Sequence, residues 1–165
     1  LRLDPNEPMA RVNLARKGET ALDRRIDLRF LAPIPAGEQM AAWTNNLATA
    51  GRTYRPEDRL RLSAEATQLD PTYAKAHMKL ATFYLGAPSP ESNEMALWHA
   101  RRAVELVRET PTPADLPLSL LVLGYVLVQT GQPEEARSVL AEGKPLASRD
   151  LIGQYQSLAA PLETP

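Results

Sequence analysis

Along most of this chain apolar residues return every three or four positions, the spacing of one face of an α-helix. In residues 56–69 the apolar positions are Leu60, Leu62, Ala66 and Leu69, set among charged ones. In residues 73–85 they are Tyr73, His77, Leu80, Ala81 and Tyr84; in residues 91–107 they are Met95, Ala96, Ala100, Ala103, Val104 and Val107. Each segment is predicted to form an amphipathic helix. A fainter stripe of Met40, Trp43, Leu47 and Ala50 predicts another over 38–50. Residues 116–128 are apolar on nearly every face, so the helix they predict must be covered on two sides. Leu151, Ile152, Tyr155 and Leu158 predict a last helix over 148–158.

The breaks agree with these segments. A proline inside a helix costs about 3 kcal/mol, so the 15 prolines are expected at boundaries. They divide the chain into pieces of helical length, and Pro117 reads as a first-turn residue after Asp115, a predicted N-cap. In Thr130-Gly131-Gln132-Pro133-Glu134-Glu135, Gly131 suits the left-handed residue that ends a helix. Pro133 then opens the next, with two carboxylates against the positive end of its dipole. So tight a connection makes the two helices antiparallel. In the N-terminal third, residues 7–17 read as a helix ending at Gly18. Residues 20–31 read either as a helix, from Ala21, Leu22 and Arg25, or as a strand, from the alternation of Ile26, Leu28 and Phe30. A helix running into an extended stretch by Pro33 and Pro35 is the favoured reading.

The chain also repeats itself. Leu3-Asp4-Pro5 returns as Leu69-Asp70-Pro71, close to two repeats of about 34 residues. Leu80-Ala81 with Tyr84 returns as Leu123-Gly124 with Leu127. Ala96, Ala100 and Ala103 return as Ala136, Leu140 and Gly143. Helices of a hairpin approach closely only where one lacks bulk, and Ala81, Gly124, Ala96 and Ala136 supply such notches.

At these residues the chain resembles the tetratricopeptide repeat (TPR) family. Residues 73–109 match through His77, Leu80, Ala81, Tyr84, Ala96, Ala100 and Ala103. Residues 116–146 match through Leu120, Leu123, Gly124, Leu127, Ala136 and Leu140, and a weaker match runs over 40–71 through Trp43, Leu47, Ala66, Leu69 and Pro71. The resemblance implies an all-α fold of antiparallel helix-turn-helix repeats stacked in a right-handed superhelix. About three repeats are recognisable, at 39–71, 72–110 and 115–146. A degenerate or helical/extended segment at 1–38 precedes them, and a C-terminal capping helix and tail at 147–165 follow. The sequence departs from the family in the long spacing from Leu80 to Leu123 and in Gly143, which stands where alanine is expected.

In such an array the first helix of each hairpin lines a concave surface that meets ligands. By the family register that groove comprises Lys75, Met78, Thr82 and Leu85, then Leu118, Leu121, Tyr125, Val128 and Gln129, with Thr44 and Ala48 continuing it. The carboxylate clamp of some family members is absent at Met78, Thr82, Leu121 and Tyr125, so hydrophobic segments are the expected ligands rather than acidic tails. The second face of helix 116–128 is expected to be covered by the C-terminal helix, by the N-terminal stretch or by a partner.

Composition narrows the rest. With 19 basic and 20 acidic residues the net charge is −1, so nothing global draws the chain to nucleic acid or an anionic membrane. Surface solvation accounts for the small basic group of Arg24, Arg25 and Arg29. No run of apolar residues is long enough to insert in a bilayer. Cysteine is missing, which excludes disulfides, thiolate zinc sites and cysteine nucleophiles. Neither His77 nor His99 has a second ligand at metal-binding spacing. Glu134-Glu135 and Glu57-Asp58 are explained as helix starts. No phosphate loop or catalytic motif is present. The expectation is a non-catalytic protein-protein interaction scaffold, without cofactor or metal, that presents an apolar groove to a peptide, helix or partner subunit. The alternative is a soluble regulatory or structural domain of a larger, membrane-anchored or enzymatic protein whose active part lies elsewhere; the start at Leu1 rather than Met favours a longer parent. Self-association through helix 116–128 is a third expectation. The compartment is open between cytoplasm and periplasm.

Overall fold

In the computed structural model, residues 41, 44, 55–86, 89–109 and 115–163 are described. Residues 55–163 contain six α-helices, and none of the described residues lies in a strand. The segments read over 7–17 and 20–31, and most of 38–50 with Ala48, lie outside them; Ala41 and Thr44 are helical and buried. The chain divides into two units, Leu1–Tyr73 and Ala74–Pro165.

In the first unit, α1 spans Pro56–Leu69, with Pro56 in its first turn and Glu57 and Asp58 at the positive end of the dipole. Leu62, Ser63 and Ala66 are buried. Leu69, expected on the inner face, is exposed because the helix ends there. The Asp-Pro turn that follows is held by Asp70, whose Oδ1 accepts from the Thr72 amide at 2.9 Å and its hydroxyl at 2.6 Å.

The second unit holds α2 (Ala74–Leu85), α3 (Pro90–Arg108), α4 (Leu116–Gln129), α5 (Pro133–Gly143) and α6 (Arg149–Ala159), with 3₁₀ turns at Lys144–Leu146 and Ala160–Leu162. The proline logic holds at three starts, since Pro90, Pro117 and Pro133 each sit in the first turn. Ser89 caps α3 by accepting the Ser92 amide at 3.0 Å. Asp115 stands at the N-cap of α4 yet makes no capping bond. Its carboxylate lies 3.3 Å from Lys75 Nζ, so the expected cap is instead an ion pair between the starts of α2 and α4. The stop before α5 forms as read. Gly131 adopts φ +75°, its amide donates to Val128 and the Gln132 amide to Leu127, satisfying two end carbonyls of α4.

Each connection folds a helix back on its predecessor, so α2 packs along α3 and α4 along α5. The hairpins lie side by side in the same sense. Lys75 joins the first turns of α2 and α4, while Arg101 meets Glu135 and Arg108 meets Glu142, two turns further along both α3 and α5. The core between them is made of Ala81, Ala96, Ala100, Val104, Leu120, Leu123, Val126, Leu127, Ala136 and Leu140. Each large aliphatic chain buried there contributes about 1.5–3 kcal/mol. Met95, expected on the inner face of α3, is exposed; the buried stripe starts one residue later, at Ala96.

Two glycines set the packing distances. A Cβ on Gly124 would stand 2.5 Å from Leu140 Cδ2, so the Leu140 side chain occupies the notch that brings α5 onto α4. A Cβ on Gly143 would stand 2.0 Å from the Tyr155 hydroxyl oxygen. The departure from alanine at 143 thus has a cause: α6 seats its tyrosine in that space.

Candidate functional site

Helix α4 carries the question of function, because almost all of its surface is apolar and something must cover it. Within the unit it packs on α2, α3, α5 and α6. The C-terminal helix supplies the cover on one side. Tyr155 is fully buried, its hydroxyl donates to the Pro117 carbonyl at 2.5 Å, and Leu151, Leu158 and Leu162 pack on the same core. The Arg137 side chain holds the chain beyond α6 by donating to the Leu162 carbonyl at 2.6 Å. Burial pushes the Tyr155 phenol up to about 12, with a smaller push from the Glu142 charge, so it stays a neutral donor throughout the physiological range.

The cover is incomplete. Leu118 and Tyr125 remain exposed on α4, at 36% and 42%. Between α4 and α6 lies an open hollow of about 400 Å³, lined by Leu121, Tyr125, Gly153, Gln154, Ser157 and Leu158.

The groove positions read from the sequence fall into three groups. Thr82, Leu118, Tyr125 and Gln129 are exposed. Lys75, Leu85 and Val128 are half-buried, and the Lys75 ammonium faces Asp115. Met78 and Leu121 are buried, so they support a surface rather than present one; Leu121 alone of the two also forms a floor to the hollow. Thr44 is buried. Only Leu121 and Tyr125 of these positions line the hollow, and its other four residues come from α6. Leu158 was read as an apolar position of the last helix; Gly153, Gln154 and Ser157 were missed because they carry no apolar signal.

The histidines lie together in the hairpin of α2 and α3. His77 and His99 are buried with their Nδ1 atoms 2.9 Å apart, so one ring donates its Nδ1–H to the bare Nδ1 of the other. Tyr84 stacks on His99 at 5.6 Å and Trp98 meets it edge-on at 4.7 Å. Burial, with repulsion from His77 second, lowers His99 to about 4. The His99 ring is therefore held neutral in this packed hairpin. No group of three metal-ligating side chains occurs among the described residues, and no described helix is long and apolar enough to cross a membrane.

A second shallow hollow, about 290 Å³, runs along α3 between Glu94, Leu97, Trp98, Arg101, Arg102 and Glu105. Trp98 is its exposed apolar feature, but the arginines are engaged: one guanidinium nitrogen of Arg101 donates to both Glu135 carboxylate oxygens, at 3.1 and 2.8 Å, and Arg102 pairs with Glu105 at 3.1 Å.

Compared with protein-family models, with curated proteins and with solved structures, the chain matches none.

Proposed function

We propose that this chain is a non-catalytic interaction scaffold of TPR type. In this reading α2–α3 and α4–α5 are successive repeats of a right-handed superhelix, α6 is the capping helix, and a protein partner lays a hydrophobic segment on the face made by α2, α4 and α6. One observation carries the reading: Leu118 and Tyr125 stay open to solvent on a helix whose other apolar surface the chain takes care to cover. Exposed aromatic and leucine side chains on a rigid helical face suit the helix-in-groove mode of recognition. The parallel course of α2 and α4, and of α3 and α5, fits stacked repeats, and the exposed side of α6, with Arg149 and Gln156 around Ile152, suits the end of such a stack.

The test is retention of a partner by the full chain against Leu118→Glu and Tyr125→Glu. Both residues are exposed, so a carboxylate there leaves the core intact, whereas Leu121→Glu would bury a charge and unfold the helix. Loss of the partner in both variants, with Trp98→Ala unaffected, supports the reading. Retention by both charged variants overturns it.

A further inference from the structure

We propose that the contact between His77 and His99 is a proton-operated latch on the α2–α3 hairpin: it holds the two helices together while one proton lies between the rings, and acid that protonates both facing nitrogens frees α2 from α3. The latch does not depend on the partner-binding reading.

It rests first on how the rings meet. The two Nδ1 atoms are 2.9 Å apart and the ring centroids 5.1 Å apart, so both nitrogens lie close to the line joining the rings. That gap fits a single shared proton. A metal ion at about 2.0–2.1 Å from each nitrogen would hold end-to-end rings with their nitrogens about 4 Å apart. No third ligating side chain joins them among the described residues. The accepting ring, when neutral, carries its proton on Nε2. A first proton taken from solvent can settle on Nε2 of a neutral donor ring and leave the shared bond in place. The next has only the accepting Nδ1. Two N–H groups then meet head-on, the hydrogen bond is lost, and two cations face each other across the helix pair.

The second observation is what surrounds His99. It is buried and boxed by His77 and Tyr84 of α2 and by Trp98 of its own helix. Helix α4, packed on both α2 and α3, has no charged side chain. The charges of α3 turn outward: Arg101 to Glu135 and Arg108 to Glu142 on α5, Arg102 to Glu105, with Glu91 and Glu94 exposed. On α2, Lys75 is held by Asp115, and Lys79, two residues from His77, points from a different side of the helix. No carboxylate therefore faces His99 among the described residues. The Tyr84 ring offers a cation some compensation, less than the water it loses, and burial leads the lowering of His99 to about 4.

The third is position. The chain has two histidines, and both are in this contact. The core that joins α4, α5 and α6 is built on Leu120, Leu127, Leu140 and Tyr155, which take up no proton in mild acid. Acid thus acts on one joint of the second unit. A solvated histidine takes its proton near 6.5 and His99 in the closed hairpin near 4. Each pH unit between those values therefore multiplies the open fraction about tenfold through His99.

The experiment is thiol accessibility in the full chain, which has no cysteine of its own. Ala81→Cys on α2 and Ala136→Cys on α5 each place one thiol at a fully buried position. Both are labelled with 4,4′-dithiodipyridine from pH 7.5 to 4.5, and each rate is divided by that of a small free thiol at the same pH. The normalised Ala81→Cys rate should rise about tenfold per pH unit below 6.5, while Ala136→Cys stays flat. Ala96→Cys, on the facing helix, should follow Ala81→Cys and stands in for it if that variant does not fold. In a background of His77→Gln with His99→Gln, or of His77→Phe with His99→Phe, the rise should vanish. A flat Ala81→Cys rate overturns the latch. So does an equal rise at Ala136→Cys, which means that the whole unit unfolds together, and so does a rise that persists without the histidines.

Discussion

The Tyr155 hydroxyl lies where a methyl group on Gly143 would have to go, 2.0 Å from the position of that carbon. The same hydroxyl donates to the Pro117 carbonyl, so one side chain ties the end of α5, the start of α4 and the middle of α6. Gly143→Ala should therefore destabilise the protein by about 1–3 kcal/mol through overpacking. Tyr155→Phe should cost about 1 kcal/mol through the lost hydrogen bond. Urea unfolding at neutral pH measures both, and a neutral Gly143→Ala would show that α6 does not seat on this core.

The other glycines should respond differently. Gly131 has φ +75° and open space around it, so Gly131→Ala should cost about 1 kcal/mol by backbone strain alone. Gly153→Ala should stabilise by about 0.5–1 kcal/mol, because a helix gains a better residue at no steric expense. Thermal unfolding of the two variants should give Tm shifts of opposite sign.

The buried histidine pair gives the protein a defined acid response. His99 is held neutral, its folded value lowered to about 4 by burial first and by His77 second. Above the ordinary histidine range both folded and unfolded states leave it uncharged, and it has no effect. As pH falls from about 6.5 to about 4, the unfolded chain takes up the proton first and stability declines, by on the order of 2–3 kcal/mol. Unfolding midpoints in urea should fall over that window. In NMR spectra the His99 ring protons should not titrate until close to pH 4; titration near 6.5 would contradict the buried placement.

The ion pairs that bridge α3 and α5 should matter little. Arg101–Glu135 and Arg108–Glu142 are close, at 2.8 and 2.6 Å, but about half exposed on both sides. A double-mutant cycle on Arg101 and Glu135 should return a coupling of about 0.2–1 kcal/mol, smaller still in high salt. Ala100→Leu, placed in a fully buried notch, should cost about 1–3 kcal/mol by overpacking. The reverse order would mean that charge, not close apposition of small residues, joins the helices.

The helices of the second unit were legible because their signals are local. Proline starts, the Gly131 stop and the alanine spacing all act within a few residues, and the expected last helix over 148–158 differs from α6 by one residue at each end. Less legible was what depends on a distant neighbour. Asp115 has the residue type and place of a cap, and only the approach of Lys75 shows why its carboxylate turns elsewhere. Gly143 reads as a departure from the repeat pattern until Tyr155 is seen beside it. Within the candidate site, Leu121 and Tyr125 follow from helical register, while Gly153, Gln154 and Ser157 become part of it only once α6 is placed against α4. Register along α4 likewise separates Tyr125, open to solvent, from Leu121, four residues earlier and buried.

The central claim is that a partner's hydrophobic segment binds on the exposed face of α4 beside α6. Its most direct test is a titration of the ¹⁵N-labelled full chain with a library-selected peptide, followed residue by residue. The predicted result is a set of amide shifts concentrated at Leu118–Tyr125 and Gly153–Leu158, saturating with one affinity. Shifts centred on Trp98 and its neighbours in α3, with α4 and α6 unmoved, would contradict it.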